Sequence, residues 1–125
     1  MMRLVEAPYP VIVTGGRAYA NRNRVFEILS ELNGIRPISI LGHGACRRKG
    51  DPPDKLVGAD RWAHEWALDH WVPVVAYPAD WEKYGKKAGM VRNAALIDLI
   101  QPKCCVAFPG GNGTQTHDWK QTIAP

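Results

Sequence analysis

Cysteine is scarce in this chain: Cys46, Cys104 and Cys105 are the three among 125 residues. An odd count without framework spacing excludes a disulfide-stapled scaffold. Cys104 and Cys105 are adjacent in an expected strand and read as small core residues pointing to opposite faces. Long apolar runs are missing as well. None approaches the roughly 20 residues that a membrane helix needs, and no secretory signal precedes the first expected strand. A cytoplasmic protein with no membrane partner is therefore expected. Charge of one sign is also in short supply: 16 Lys and Arg against 12 Asp and Glu leave a net charge of +4. That excess suits an anionic ligand and is too small to imply nucleic acid by itself. There is no internal repeat and no linker, so residues 1–125 are expected to form one domain, long enough for a real core.

What the chain does have is glycine at strand ends. Pro10 to Thr14 contains three consecutive apolar residues and reads as a short buried strand. It runs into Gly15-Gly16 and then Arg17. Asn21 is the expected cap of a helix whose apolar spacing comes from Val25, Phe26, Ile28, Leu29 and Leu32, with Asn33-Gly34 as its stop. Ile38 to Leu41 is the second expected strand, followed by Gly42-His43-Gly44. The segment from Cys46 to Lys55 has no apolar period and two prolines, so it is expected to be an exposed loop, placed where it could act as a lid.

A second helix is expected over Ala59 to Trp71, with Trp62, Trp66 and Trp71 packing rather than stacking on bases. Val72 to Tyr77 is the third strand, and Pro78 to Lys87 reads as a loop. The third helix is expected over Ala88 to Ile100, ended by Pro102. Cys104 to Phe108 is the fourth strand, and Thr114 to Ile123 is read as a last short helix.

Regular alternation of strand and helix points to an α/β fold: a parallel sheet of about four strands flanked by helices, with right-handed crossovers and strand order 3-2-1-4. In such a sheet ligands bind at the carboxyl ends of the strands where the order reverses. That reversal lies between the first and fourth strands. Their turns, Gly15-Gly16 and Pro109-Gly110-Gly111-Asn112-Gly113-Thr114, then face one crevice. Glycine lets backbone N–H groups approach a ligand, and a following helix start favours an anion.

Several stretches together resemble the SLOG superfamily (Smf/DprA and LOG proteins), specifically its YspA-like, cpYpsA-related branch. They are VIVTGGRAY, HGA, GADRWAHEWA, PADW, GMVRNAAL and VAFPGGNGT, in that order along the chain. The resemblance implies a Rossmann-like fold and a nucleotide or nucleotide-derived ligand. It implies first-loop contacts from Gly15, Gly16 and Arg17, residues Arg92 and Asn93 directed at the site, and a phosphate turn of Gly110, Gly111, Gly113 and Thr114. Between HGA and GAD the family motif is nearly continuous, whereas residues 46–57 form an inserted loop here.

The LOG enzymes, similar in the phosphate turn, cleave the N-glycosidic bond of nucleoside monophosphates with the motif PGGxGTxxE. Here His117 stands at the position of that glutamate. Chemistry of this kind uses a carboxylate to steady oxocarbenium-like charge or activate water. Asp118 is adjacent, but one helical position turns a side chain by about 100°. Arg92, His117 and Asp118 are the candidates for a catalytic role. The expectation is therefore a binding protein that senses or sequesters a nucleotide, with phosphoribohydrolase-like cleavage and DprA-like DNA binding as the alternatives. His43 is expected to support its loop by hydrogen bonding. With Cys46 it makes only half a metal site, so neither a metal nor a cofactor is expected. A homodimer is a further expectation.

Overall fold

Val11, Ile12 and Val13 lie at the centre of the sheet, each no more than 2% exposed, because β1 (Pro10–Thr14) is paired on both edges. The computed structural model describes residues 7–52 and 54–110 and the strand Gln121–Ile123. After β1 come α1 (Arg22–Ile35), β2 (Ile40–His43), α2 (Gly58–Asp69) and β3 (Val74–Ala76). Then follow α3 (Trp81–Tyr84), a 3₁₀ turn (Gly85–Lys87), α4 (Ala88–Ile100), β4 (Cys104–Ala107) and β5 (Gln121–Ile123). All pairings are parallel, in the order β3-β2-β1-β4-β5. The expected 3-2-1-4 order holds, with the reversal between β1 and β4.

The sheet buries both faces, which is why its strands are apolar runs rather than alternating ones. On one face α1 and α2 pack Val25, Leu29, Ala63 and Trp66 against Val11, Val13, Leu41, Cys104 and Val106. Trp66 is fully buried, and its indole N–H, costly to bury alone, donates to Ser30 Oγ at 3.0 Å. On the other face Ile12 and Cys105 meet Leu96 and Ile100 of α4. Cys104 and Cys105 thus point to opposite faces, as their adjacency in a strand requires. Gly42 of β2 lets α4 come this close: a Cβ there would collide with Ile100 Cδ1 and sit 3.2 Å from Leu96 Cδ1.

Local signals set some boundaries differently from the apolar pattern. Asn21 does cap α1, its Oδ1 accepting from Arg24 N at 3.0 Å. Asn33-Gly34 does not stop that helix, which runs on to Ile35; Asn33 Oδ1 instead accepts from Ile38 N at 2.9 Å. β2 is displaced from 38–41 to Ile40–His43, since Gly42 and His43 pair with Ile12 and Val13 despite their weak strand preference. Within the expected 78–87 loop, Asp80 Oδ1 accepts from Lys83 N at 3.1 Å and nucleates α3.

Trp71 is not packed. It lies beyond the end of α2 at φ 57° and is 93% exposed. The expected helix over 114–123 is also corrected at its end: Gln121–Ile123 is a strand paired with Cys105–Ala107. The β-branched Thr122 and Ile123 suit that role. Residues 114–120 lie outside the described part of the chain.

Candidate functional site

The cleft forms where β1 and β4 deliver their glycine turns side by side. Gly16 N donates to Pro109 O at 3.2 Å. A Cβ on Gly16 would lie 2.9 Å from Gly110 C, and one on Gly15 would lie 2.5 Å from Ala59 Cβ. Gly110 itself has φ 93°, a backbone state that glycine adopts without strain. The turns therefore touch through backbone, which only side-chain-free residues permit.

Helix α2 closes the same corner from behind. Gly58, at φ 69°, would drive a Cβ into Gly16 O and to 2.8 Å from Arg17 Cα. Ala59 N donates to Gly16 O at 3.4 Å. Asp60, 2% exposed, accepts from Cys46 N at 3.0 Å through Oδ2, tying the 46–57 loop to the first turn of α2. Cys46 is not a nucleophile in this setting: burial, with the Asp60 carboxylate beside it, pushes its thiol up to about 12.

The end of β2 supplies a third wall. His43 is fully buried and accepts from Ala45 N through Nδ1 at 3.0 Å. A neutral ring accepting at Nδ1 carries its proton on Nε2, so Nε2–H donates to His64 Nδ1 at 2.9 Å. Burial, the largest influence, holds His43 down at about pKa 4, against the pull of Asp60 and with the push of His64 and Arg92. His43, expected both among the ligand contacts and as a support of its loop, is fully buried and does not line the cleft; its contacts are the hydrogen bonds to Ala45 and His64.

Arg92 of α4 crosses to this wall. Its Nη1 donates to Gly44 O and, at 3.4 Å, to Tyr77 O. Its Nε donates to Asn93 Oδ1 at 2.6 Å. A Cβ on Gly44 would collide with the guanidinium. The arginine is thus clamped across the ends of two strand loops, leaving the Nη2 hydrogens for a ligand. Arg17, by contrast, is exposed and makes no ion pair among the described residues.

The resulting cleft measures about 990 Å³. Of the residues expected at the site, Gly15, Gly16, Arg17, Arg92, Asn93, Pro109 and Gly110 all line it. Thr14 lines it too, and its Oγ1 is buried without a hydrogen-bond partner among the described residues. Gly111, Asn112, Gly113, Thr114, His117 and Asp118 lie outside the described residues. Sequence reasoning missed Gly58, whose signal was the GAD tripeptide. Among the described residues no group of three His, Cys, Asp or Glu is placed to hold a metal.

The family model for the YspA, cpYpsA-related SLOG family matches residues 9–84, which carry β1 to α3 and with them the first turn, Gly44 and Asp60. The chain belongs to the YspA, cpYpsA-related SLOG family. It is also 32% identical over 109 residues to the Gene 61 protein of Mycobacterium phage D29, covering 86% of this chain and 82% of that protein. For this SLOG protein the Rossmann-like α/β architecture is the one the resemblance implies. Among its described residues no helix is long and apolar enough to cross a membrane.

Proposed function

We propose that this SLOG protein binds a nucleotide or nucleotide-derived anion in the cleft between the β1 and β4 turns, as a cytoplasmic sensing or sequestering module. The observation that carries this reading is the backbone contact of Gly16 with Pro109-Gly110 at the strand-order reversal. It spends the Gly16 N–H on Pro109 O and leaves a side-chain-free floor on which an anion can approach the backbone. Arg17 and Arg92 supply positive charge at its rim, and the orphan Thr14 Oγ1 is a buried polar atom that a ligand would satisfy. Asp60, the carboxylate that lines the cleft among the described residues, is committed to Cys46 N–H. That supports holding over cutting.

The test is calorimetry with nucleoside mono- and diphosphates, ADP-ribose and cyclic dinucleotides. At least one is expected to bind, and Arg17→Glu is expected to weaken it about tenfold or more, the worth of a charge-assisted hydrogen bond. Absence of heat with every ligand, or an Arg17→Glu protein that binds like wild type, sinks the reading.

We also propose that the protein pairs with a second copy through α4. Val91, Ala94 and Asp98 are exposed on its outer side. A two-fold contact through this face would set Val91 and Ala94 of one protomer against the same face of its partner.

A further inference from the structure

Trp81 has the placement of a ligand wall rather than of a core residue. It opens α3, a single turn none of whose residues is buried. It is held there by the Asp80 cap, with Tyr84 N returning to Asp80 O at 3.1 Å. The indole is 50% exposed, and it lines the cleft. The far edge of its six-membered ring rests over α4 at Gly89, where an added Cβ would be 3.7 Å from Cη2. The ring thus has a backbone floor and no side chain packed beneath it at that point.

Arg17 stands further from the Trp81 ring than the stacked arginines stand from theirs. Arg22 sits 3.9 Å above the Phe26 ring and Arg61 4.5 Å above the Trp62 ring, both in direct stacking contact. Arg17 stands 6.0 Å from the Trp81 centroid, at the outer limit of a cation–π contact. Trp81 lines the same cleft as the two glycine turns, and Arg17, which follows the first of them, stands off its ring.

We propose that Trp81 is the stacking surface for the aromatic base of the ligand, with Arg17 bridging from the indole edge to the ligand's phosphate. This rests on the nucleotide reading above and narrows it: the ligand class is a purine or pyrimidine nucleotide, and not a sugar phosphate lacking a base. Planar stacking accepts any base, because each has a π face, so Trp81 distinguishes base from no base rather than one base from another.

The experiment measures binding of AMP, ADP-ribose and ribose 5-phosphate to wild type, Trp81→Ala and Trp81→Phe, with hypochromism of the adenine band near 260 nm as a stacking signature. Wild type is expected to bind a nucleotide more tightly than ribose 5-phosphate and to quench the adenine absorbance. Trp81→Ala is expected to lose about 5- to 150-fold in nucleotide affinity and the hypochromism. Trp81→Phe restores most of both, and ribose 5-phosphate is indifferent to either change. A Trp81→Ala protein that binds the nucleotide like wild type, or loses nucleotide and ribose 5-phosphate equally, overturns the stacking role while the nucleotide cleft stands. Equal wild-type affinity for ribose 5-phosphate and AMP overturns it too. Failure of wild type to bind any of the three overturns both.

Discussion

Acidification should loosen the β2 wall of the cleft through one residue, His43. The ring is fully buried, and its Nδ1 must stay unprotonated to accept from Ala45 N. Burial holds its pKa at about 4 in the native state, whereas a histidine in the unfolded chain titrates near 6.5. Between those values the unfolded chain binds the extra proton and the native state does not. The contribution to stability is therefore complete above the unfolded pKa and is lost as pH falls towards 4. A gap of about 2.5 pH units at 1.36 kcal/mol each is about 3.4 kcal/mol in full, of which roughly 2.4 kcal/mol goes between about pH 7 and about pH 4.5. A small domain has about 5–15 kcal/mol to lose, so the effect is large.

Urea unfolding at several pH values across that window measures it, with His43→Asn as the reference. Asparagine offers an oxygen to Ala45 N–H but does not titrate. Wild type is expected to lose roughly 2.4 kcal/mol, and the variant less than about 1 kcal/mol. The His43 ring signal, followed by NMR, reads the depressed pKa directly and does not depend on the variant folding well. Parallel loss of stability in both proteins, or a ring that titrates near 6.5, would refute the reasoning.

Two other substitutions probe the packing. Gly58→Ala forces an alanine into φ 69° and its Cβ against the Gly16 carbonyl. A left-handed alanine costs about 1–2 kcal/mol and overpacking against backbone about 1–3 more, so denaturant unfolding should show a loss of about 2–5 kcal/mol. A loss below about 0.5 kcal/mol would show that the α2 entry yields freely. Val91→Asp puts a carboxylate into the outer face of α4 and is expected to abolish the proposed self-association in sedimentation equilibrium; a wild-type monomer, or self-association untouched by the change, removes α4 as the interface.

The fold was legible because its signals were of one kind. Three consecutive apolar residues at Val11–Val13 and another run at Cys104–Phe108, separated by helical spacing, dictate a buried parallel sheet, and the reversal follows from crossover handedness. What periodicity could not show lies where polar or small residues do the folding. α3 is invisible to an apolar count because Asp80, not burial, nucleates it. Gly42 and His43 join β2 through register with β1 rather than through strand preference. At Thr122 and Ile123, a three-residue strand stabilised by its neighbour β4 was mistaken for the end of a helix. The site was legible wherever a glycine had to be a glycine at a strand end. Gly58 escaped because its reason for being glycine is the Gly16 carbonyl, 42 positions earlier, which no local pattern contains.

The two arginines, alike in sequence as candidate anion ligands, separate on physical grounds. Arg92 spends Nε on Asn93 and Nη1 on the Gly44 and Tyr77 carbonyls. Its first effect is to join the loops after β2 and β3 to α4, and only its remaining nitrogen can reach a ligand. Its position is consequently fixed before any ligand arrives, so little side-chain entropy is lost on binding. Arg17 is exposed, has no carboxylate partner among the described residues and sits beside the half-exposed Trp81. It must be ordered by the ligand, and its charge is the more available of the two. Arg92 is thus a pre-set guanidinium on one wall of the cleft, whereas Arg17 stands exposed beside Trp81 on the other. The contrast follows from what each side chain is already bonded to.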